Sequence, residues 1–302
     1  MSALVSAGIS CAVEKPLSNN PQEIALLKAN MNSYRDSIFA LSYYALEKAL
    51  PVNYLLSGNP YYTRFLVMDG SKAIEPQKTA STMKSLGLLE SVEIVLAEVS
   101  PDEGERAWTE QKDGLAYETF IHPLIIAYKF CAQANFDWRD MEYDVVRGRA
   151  ESAIHADCFV ETFLKINGEI NRGSADGSDS VQVSVTTAKY AREKSRKGRA
   201  VFEQGQINFC FDKMIATVVN GEGQQLLTIQ VAEDFREKYR VQSDLVRMFF
   251  KMGWADLRFD DFDDQIEVLD WLAAQNLNGD IHFAYGPTAG YEEYDAALPQ
   301  FE

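Results

Sequence analysis

From Cys158 to Val231 the chain repeatedly alternates apolar and polar residues, and no other stretch constrains the fold as strongly. Val181, Val183 and Val185 recur at the two-residue period of a half-buried strand within Val181 to Thr187. Cys158 to Ile166 is strand-like and runs into Asn167-Gly168, a hairpin dipeptide. Ile207 to Val219 and Leu226 to Val231 flank Asn220-Gly221-Glu222-Gly223, the best turn signal in the chain. Asn171 to Ser180 has the composition of a flexible loop. Together these segments predict an antiparallel sheet.

The flanks read differently. Residues 1–20 form a small, polar tail that ends in a helix cap at Asn20-Pro21. From Gln22 to Leu50 apolar residues recur at helical spacing, predicting one long helix or a broken pair that stops before Pro51. Phe65 to Met68 and Ser91 to Val99 read as strands, Pro101 to Gly114 as an acidic loop, and Ile121 to Ala134 as a buried helix. Helices are expected over Glu233 to Met252 and Asp264 to Ala274. Helices first, strands next and helices last, without βαβ alternation, give an α+β class. Its parts are a helical N-terminal part, an antiparallel β-sheet in the middle and a helical acidic C-terminal part. The expected division is a tail over 1–20, a mixed helical and strand domain over 21–150, and an antiparallel-sheet domain with the acidic end over 151–302.

Charge narrows the function classes. The 302 residues carry a formal charge of −16, a field that repels nucleic acid and anionic membrane and favours basic partners. Residues 251–302 hold 12 acidic and 2 basic residues, so most of the excess sits at one end. Cys11, Cys131, Cys158 and Cys210 are scattered singly, as suits reduced thiols, and no apolar run reaches the roughly 20 residues of a membrane span. A cytoplasmic location is expected.

No hydrolase, kinase, Walker or dinucleotide-binding motif is present. His122, His155 and His282 lie far apart, so each reads as structural, and neither a metal nor a cofactor is expected. Asp256, Asp260, Asp261, Asp263, Asp264 and Glu267, interleaved with Phe259 and Phe262, form the densest acidic cluster. With Tyr291, Glu292, Glu293 and Tyr294 they predict a negative surface bearing aromatic anchors. The basic run Lys189, Arg192, Lys194, Arg196, Lys197 and Arg199 predicts a self-association contact and a homo-oligomer. The resulting expectation is a non-enzymatic inhibitor that occupies the basic site of a nucleic-acid-binding protein, as a DNA mimic in a host–virus setting. The alternatives are a self-assembling structural subunit, or a metal-dependent hydrolase or nuclease using His155, Asp157 and Glu161.

Overall fold

A computed structural model describes residues 4–5, 7–99, 115–151, 159–171, 180–191, 193–252, 261–275, 277, 283–285 and 298. The chain opens with a parallel βαβ unit. Strand β1 (Cys11–Glu14) pairs in parallel with β2 (Ile38–Leu41), and helices α1 (Pro21–Ala29) and α2 (Met31–Tyr34) connect them. Helix α1 starts where the sequence places its cap: the Asn20 side chain accepts the Gln22 N–H at 2.9 Å, and Pro21 takes the first turn.

The long helix or broken pair predicted over Gln22 to Leu50 is instead interrupted by the strand β2. Ile38, Phe39 and Ala40 are buried at 0–2% exposure, so the strand is covered on both faces and shows no alternation to betray it. A π-helical turn over Tyr43–Lys48 follows, capped by Ser42, whose Oγ accepts the Ala45 N–H at 3.2 Å. Helix α3 (Leu50–Ser57) then runs through Pro51, which sits in its first turn, and ends at Gly58 with φ +63°.

The rest of the chain is organised by a ten-stranded mixed sheet of order β12-β5-β6-β7-β4-β8-β9-β10-β11-β3. Its strands are β3 (Leu66–Met68), β4 (Leu89–Val99), β5 (Glu142–Glu151), β6 (Phe159–Asn171), β7 (Ser180–Ala191), β8 (Ser195–Phe202), β9 (Gly205–Cys210), β10 (Ile215–Asn220), β11 (Gln225–Val231) and β12 (Phe283–Tyr285). Strand β4 lies in the middle, parallel to β7 and antiparallel to β8. The expected α+β class, with a separate antiparallel middle, is therefore corrected. Parallel pairs occur in both sheets, and the large sheet draws β3 and β4 from the part read as mainly helical and β12 from the acidic end. The alternation in Val181 to Thr187 revealed strands but could not reveal their partners, because pairing as remote as that of Ser91 with Gln182 leaves no local pattern.

One further expectation changes. Asn167-Gly168 is not a hairpin but lies inside β6, where a Cβ on Gly168 would come within 2.6 Å of Met141 Sδ. The basic run, read as a self-association contact, spans the end of β7 and β8, where Arg196 and Arg199 pair with Glu98 and Glu93 of the same chain. The Asn220 to Gly223 turn joins β10 to β11 as predicted. Helix α4 (Pro76–Ser85) leads into β4, α5 (Ile121–Gln133) packs on β4 and β7, and α6 (Arg240–Met252) and α7 (Asp261–Ala274) close the chain around α1, α5 and β2. Helix α5 is apolar almost all round because it is buried: Ile121, Leu124, Ile126 and Ala127 are all 0% exposed. Among the described residues no helix is long and apolar enough to cross a membrane.

Candidate functional site

The two parallel strands end side by side, and the residues that follow them begin the site. Lys15 comes directly after β1 and donates its backbone N–H to Leu41 O at 3.0 Å, tying it to the end of β2, where Ser42 follows. The carboxyl ends of parallel strands are where open α/β sheets place ligands. Helix α5 brings His122 to the same point in its first turn, with Ser42 Oγ and His122 Nδ1 2.8 Å apart.

His122 is 4% exposed. Its pKa is pushed well below the ordinary histidine value, first by burial and then by the charges of Lys15 and Lys189. The ring is therefore a neutral imidazole at physiological pH. Ser42 Oγ already accepts the Ala45 N–H. When its own hydroxyl donates to Nδ1, the ring proton rests on Nε2. Tyr44 packs edge-on against the imidazole, with ring centres 5.3 Å apart, and burial raises its hydroxyl above the usual phenol range, so it remains a donor.

A charge network surrounds this core. Glu98, at the end of β4, is held by Lys189 from β7 and by Arg196 from β8, the latter at 2.7 Å. Burial opposes the Glu98 charge, but the two cations outweigh it and hold the carboxyl below its usual range. Arg196 also reaches Asp212 at 3.3 Å and lies over the Tyr44 ring at 5.2 Å, while its buried Nε has no acceptor among the described residues. Glu47, in the π-helical turn, is fully buried and accepts the backbone N–H groups of Tyr239 and Gln242 at 2.8 and 3.1 Å. That link fixes the turn that carries Tyr43 and Tyr44 to the start of α6. The chemistry on offer is proton transfer by a neutral imidazole beside cationic donors.

The residues singled out from the sequence go elsewhere. Asp256, Phe259, Asp260, Tyr291, Glu292, Glu293 and Tyr294 lie outside the described residues, as do His155, Asp157, His282 and Arg192. Phe262 is 0% exposed in the core rather than presented as an anchor. Asp261 opens α7, Asp263 pairs with Arg35 at 2.7 Å, and Asp264 faces Lys129 at 3.5 Å. Glu267 is met by Lys28 and Arg139, each at 3.0 Å. Much of the acidic charge of α7 is thus matched within the molecule. Glu161 pairs with Arg147 at 2.6 Å across β5 and β6. Of the basic run, Lys189 and Arg196 join the site, Lys194 meets Asp212 at 2.9 Å, Arg199 meets Glu93 at 3.2 Å, and Lys197 lies on β8.

Lys15, Ser42 and His122 did not stand out in the sequence. The one signal for Lys15 was the apolar triplet Cys11-Ala12-Val13 ending in Glu14-Lys15-Pro16 before a strong helix cap, the pattern of a strand, a loop and a helix. Nothing local joins His122 to Ser42, 80 residues away.

No protein-family model matches the chain, and no curated protein does either. Solved structures do resemble it. A Gfo/Idh/MocA family oxidoreductase from Vibrio cholerae aligns with a TM-score of 0.51 at 10% identity, over 90% of this chain and 71% of its own. A glucose-6-phosphate 1-dehydrogenase from Mycobacterium avium aligns at 0.56 and 16%, over 92% and 66%. A 3-ketoreductase from Actinomadura kijaniata, solved with NADP and TDP-benzene, aligns at 0.52 and 12%, over 94% and 74%. The reading as a non-enzymatic inhibitor, a DNA mimic or the partner of a basic nucleic-acid-binding protein is corrected by these matches, each of which is to an oxidoreductase. The fold of this chain is similar to that of the Gfo/Idh/MocA oxidoreductases: a parallel, Rossmann-like βαβ unit beside a large mixed sheet.

Proposed function

We propose that the chain is an enzyme of the oxidoreductase type, acting at a hydroxyl or carbonyl carbon of a small polar substrate. The observation that carries this reading is the buried, neutral His122, oriented by Ser42 and set beside Lys15 at the carboxyl ends of β1 and β2. His122 takes a proton from a substrate hydroxyl, or returns one to a carbonyl oxygen. Lys15 holds that oxygen and favours the charge that develops on it. Arg196 offers its open Nε to a second polar group of the substrate. Glu98 acts on the substrate only through Lys189 and Arg196, as a positioning residue.

One fold neighbour is solved with NADP, yet the described residues do not fit a dinucleotide. The connection from β1 to α1, Lys15 to Asn20, contains no glycine to admit a pyrophosphate. Pro21 supplies no N–H, and the Gln22 N–H is already taken by Asn20. No step is therefore routed through that group.

Calorimetric titration with a panel of hydroxy and oxo sugars tests the reading. At least one is expected to bind, with affinity falling about tenfold in Lys15→Met. With a redox dye supplied as the two-electron acceptor, oxidation of a bound hydroxy sugar is expected to fall about 10²- to 10⁴-fold in His122→Asn. A panel without a binder, or binding and turnover indifferent to both substitutions, contradicts it.

A further inference from the structure

A hollow of about 610 Å³ opens between α3, α4, the carboxyl end of α5 and the turn that leads into β4. It is separate from the Lys15–His122 site: His122 and Gln133 stand at opposite ends of α5, roughly 16 Å apart at 1.5 Å per residue. Tyr54, Leu55, Leu89 and Phe130 line it and are buried, while Leu88 stands at the rim, 46% exposed. The Tyr54 hydroxyl is engaged by Thr79, so this polar group of the wall is already satisfied. The volume falls within the roughly 300–1,000 Å³ typical of small-molecule sites.

Among the described residues Lys84 is the one charged side chain in the lining, and the Glu203 carboxylate beside the rim is occupied by the Leu88 N–H at 3.0 Å. Lys84 is exposed and enters no ion pair among the described residues. We propose that this hollow binds an amphipathic anion, an apolar chain or ring bearing a single carboxylate that meets Lys84. The apolar walls supply the affinity by removing the ligand's hydrocarbon from water. The head-group preference is local. The overall charge of −16 opposes any anion, so a preference for a carboxylate over an alcohol has to come from Lys84 itself.

Decanoate, decanol and decyltrimethylammonium, each titrated by calorimetry into the full chain, form the test. Decanoate is expected to bind saturably, with about one equivalent, and tighter than either analogue. Ala80→Trp, which fills the lining, is expected to abolish binding. Lys84→Glu, an exposed change that spares the fold, is expected to weaken decanoate about tenfold and to favour the cation instead. Leu88→Ser at the rim gives a second exposed variant, neutral in charge, and is expected to weaken all three ligands. Lack of saturable binding, or decanoate binding unchanged in Ala80→Trp and Leu88→Ser, overturns the site. Decanol binding as tightly as decanoate, or indifference to Lys84→Glu, overturns the assignment of an anion. Lys15 and His122 enter none of these readouts, so the hollow and the proposed activity stand or fall separately.

Discussion

Helix α5 ends in two opposite environments. Its first turn places an uncharged histidine among Lys15, Lys189 and, through Ser42, the capped π-helical turn. Its last turns place Phe130 and Gln133 beside an apolar hollow. His122 at one end and Phe130 near the other are both withdrawn from water, but different physics holds them. The polar end depends on pairing, since each buried charge is tolerable only while its partner stays. The apolar end depends on filled volume, and no proton changes it. One end is therefore expected to respond to pH and the other to side-chain size alone.

Breaking the comparison at its apolar end has the largest expected effect. Phe130, 1% exposed and stacked on Phe209 with centroids 6.0 Å apart, loses about 4 kcal/mol of stability on replacement by Ala. Denaturant unfolding measures this, and the loss is expected to be equal at pH 5.5 and 7.5. A pH-dependent loss would mean that the two ends are coupled. Next is Glu98→Ala, which leaves Lys189 and Arg196 facing each other without their shared anion and costs about 3 kcal/mol near neutrality. Because the folded protein holds the Glu98 carboxyl below its usual 4.5, its contribution is complete above that pH and is lost as the pH falls from there through the lower folded value. The gap between the parent and Glu98→Ala should therefore narrow in acid.

His122 gives a smaller effect of definite sign. Folding depresses its pKa below 6.5, so the unfolded chain binds the extra proton first, and stability falls as the pH drops below 6.5. The slope is at most about 1.4 kcal/mol per pH unit. It should vanish in His122→Asn, as read from unfolding midpoints across pH 5 to 8. Smallest is Arg247→Ala. Its guanidinium is 67% exposed and pairs with Asp244 one turn back, so a change within about 0.5 kcal/mol is expected.

What the sequence disclosed follows how local each feature is. The Asn220–Gly223 turn, the apolar helix from Ile121 and the cap at Asn20 each write their signal within a few residues, and each forms as read. Strand β2 left no such trace, because Ile38 to Leu41 are apolar on both faces and follow helical residues. The acidity near Asp263 reads in the sequence as a surface, whereas Arg35, Lys28, Lys129 and Arg139 arrive from distant elements to meet it. The candidate site was the least legible feature. Lys15, Ser42, Glu98, His122, Lys189 and Arg196 come from six separate stretches, and what joins them is the pairing of β1 with β2 and of β4 with β7 and β8. A lone histidine in an apolar helix is most simply a packed one until its Ser42 partner is seen.

The protonation state of His122 is the most direct test of the proton-transfer role. Three histidines in the chain keep the imidazole region of an ¹⁵N-labelled spectrum readable, and His122→Asn assigns the signal. The expected result is a ring that stays neutral as the pH falls through 6.5, with a pattern that shifts in Ser42→Ala as the Nδ1 partner is lost. A ring that titrates at or above the ordinary value of 6.5 would contradict a buried neutral base and remove the basis for the proposed chemistry.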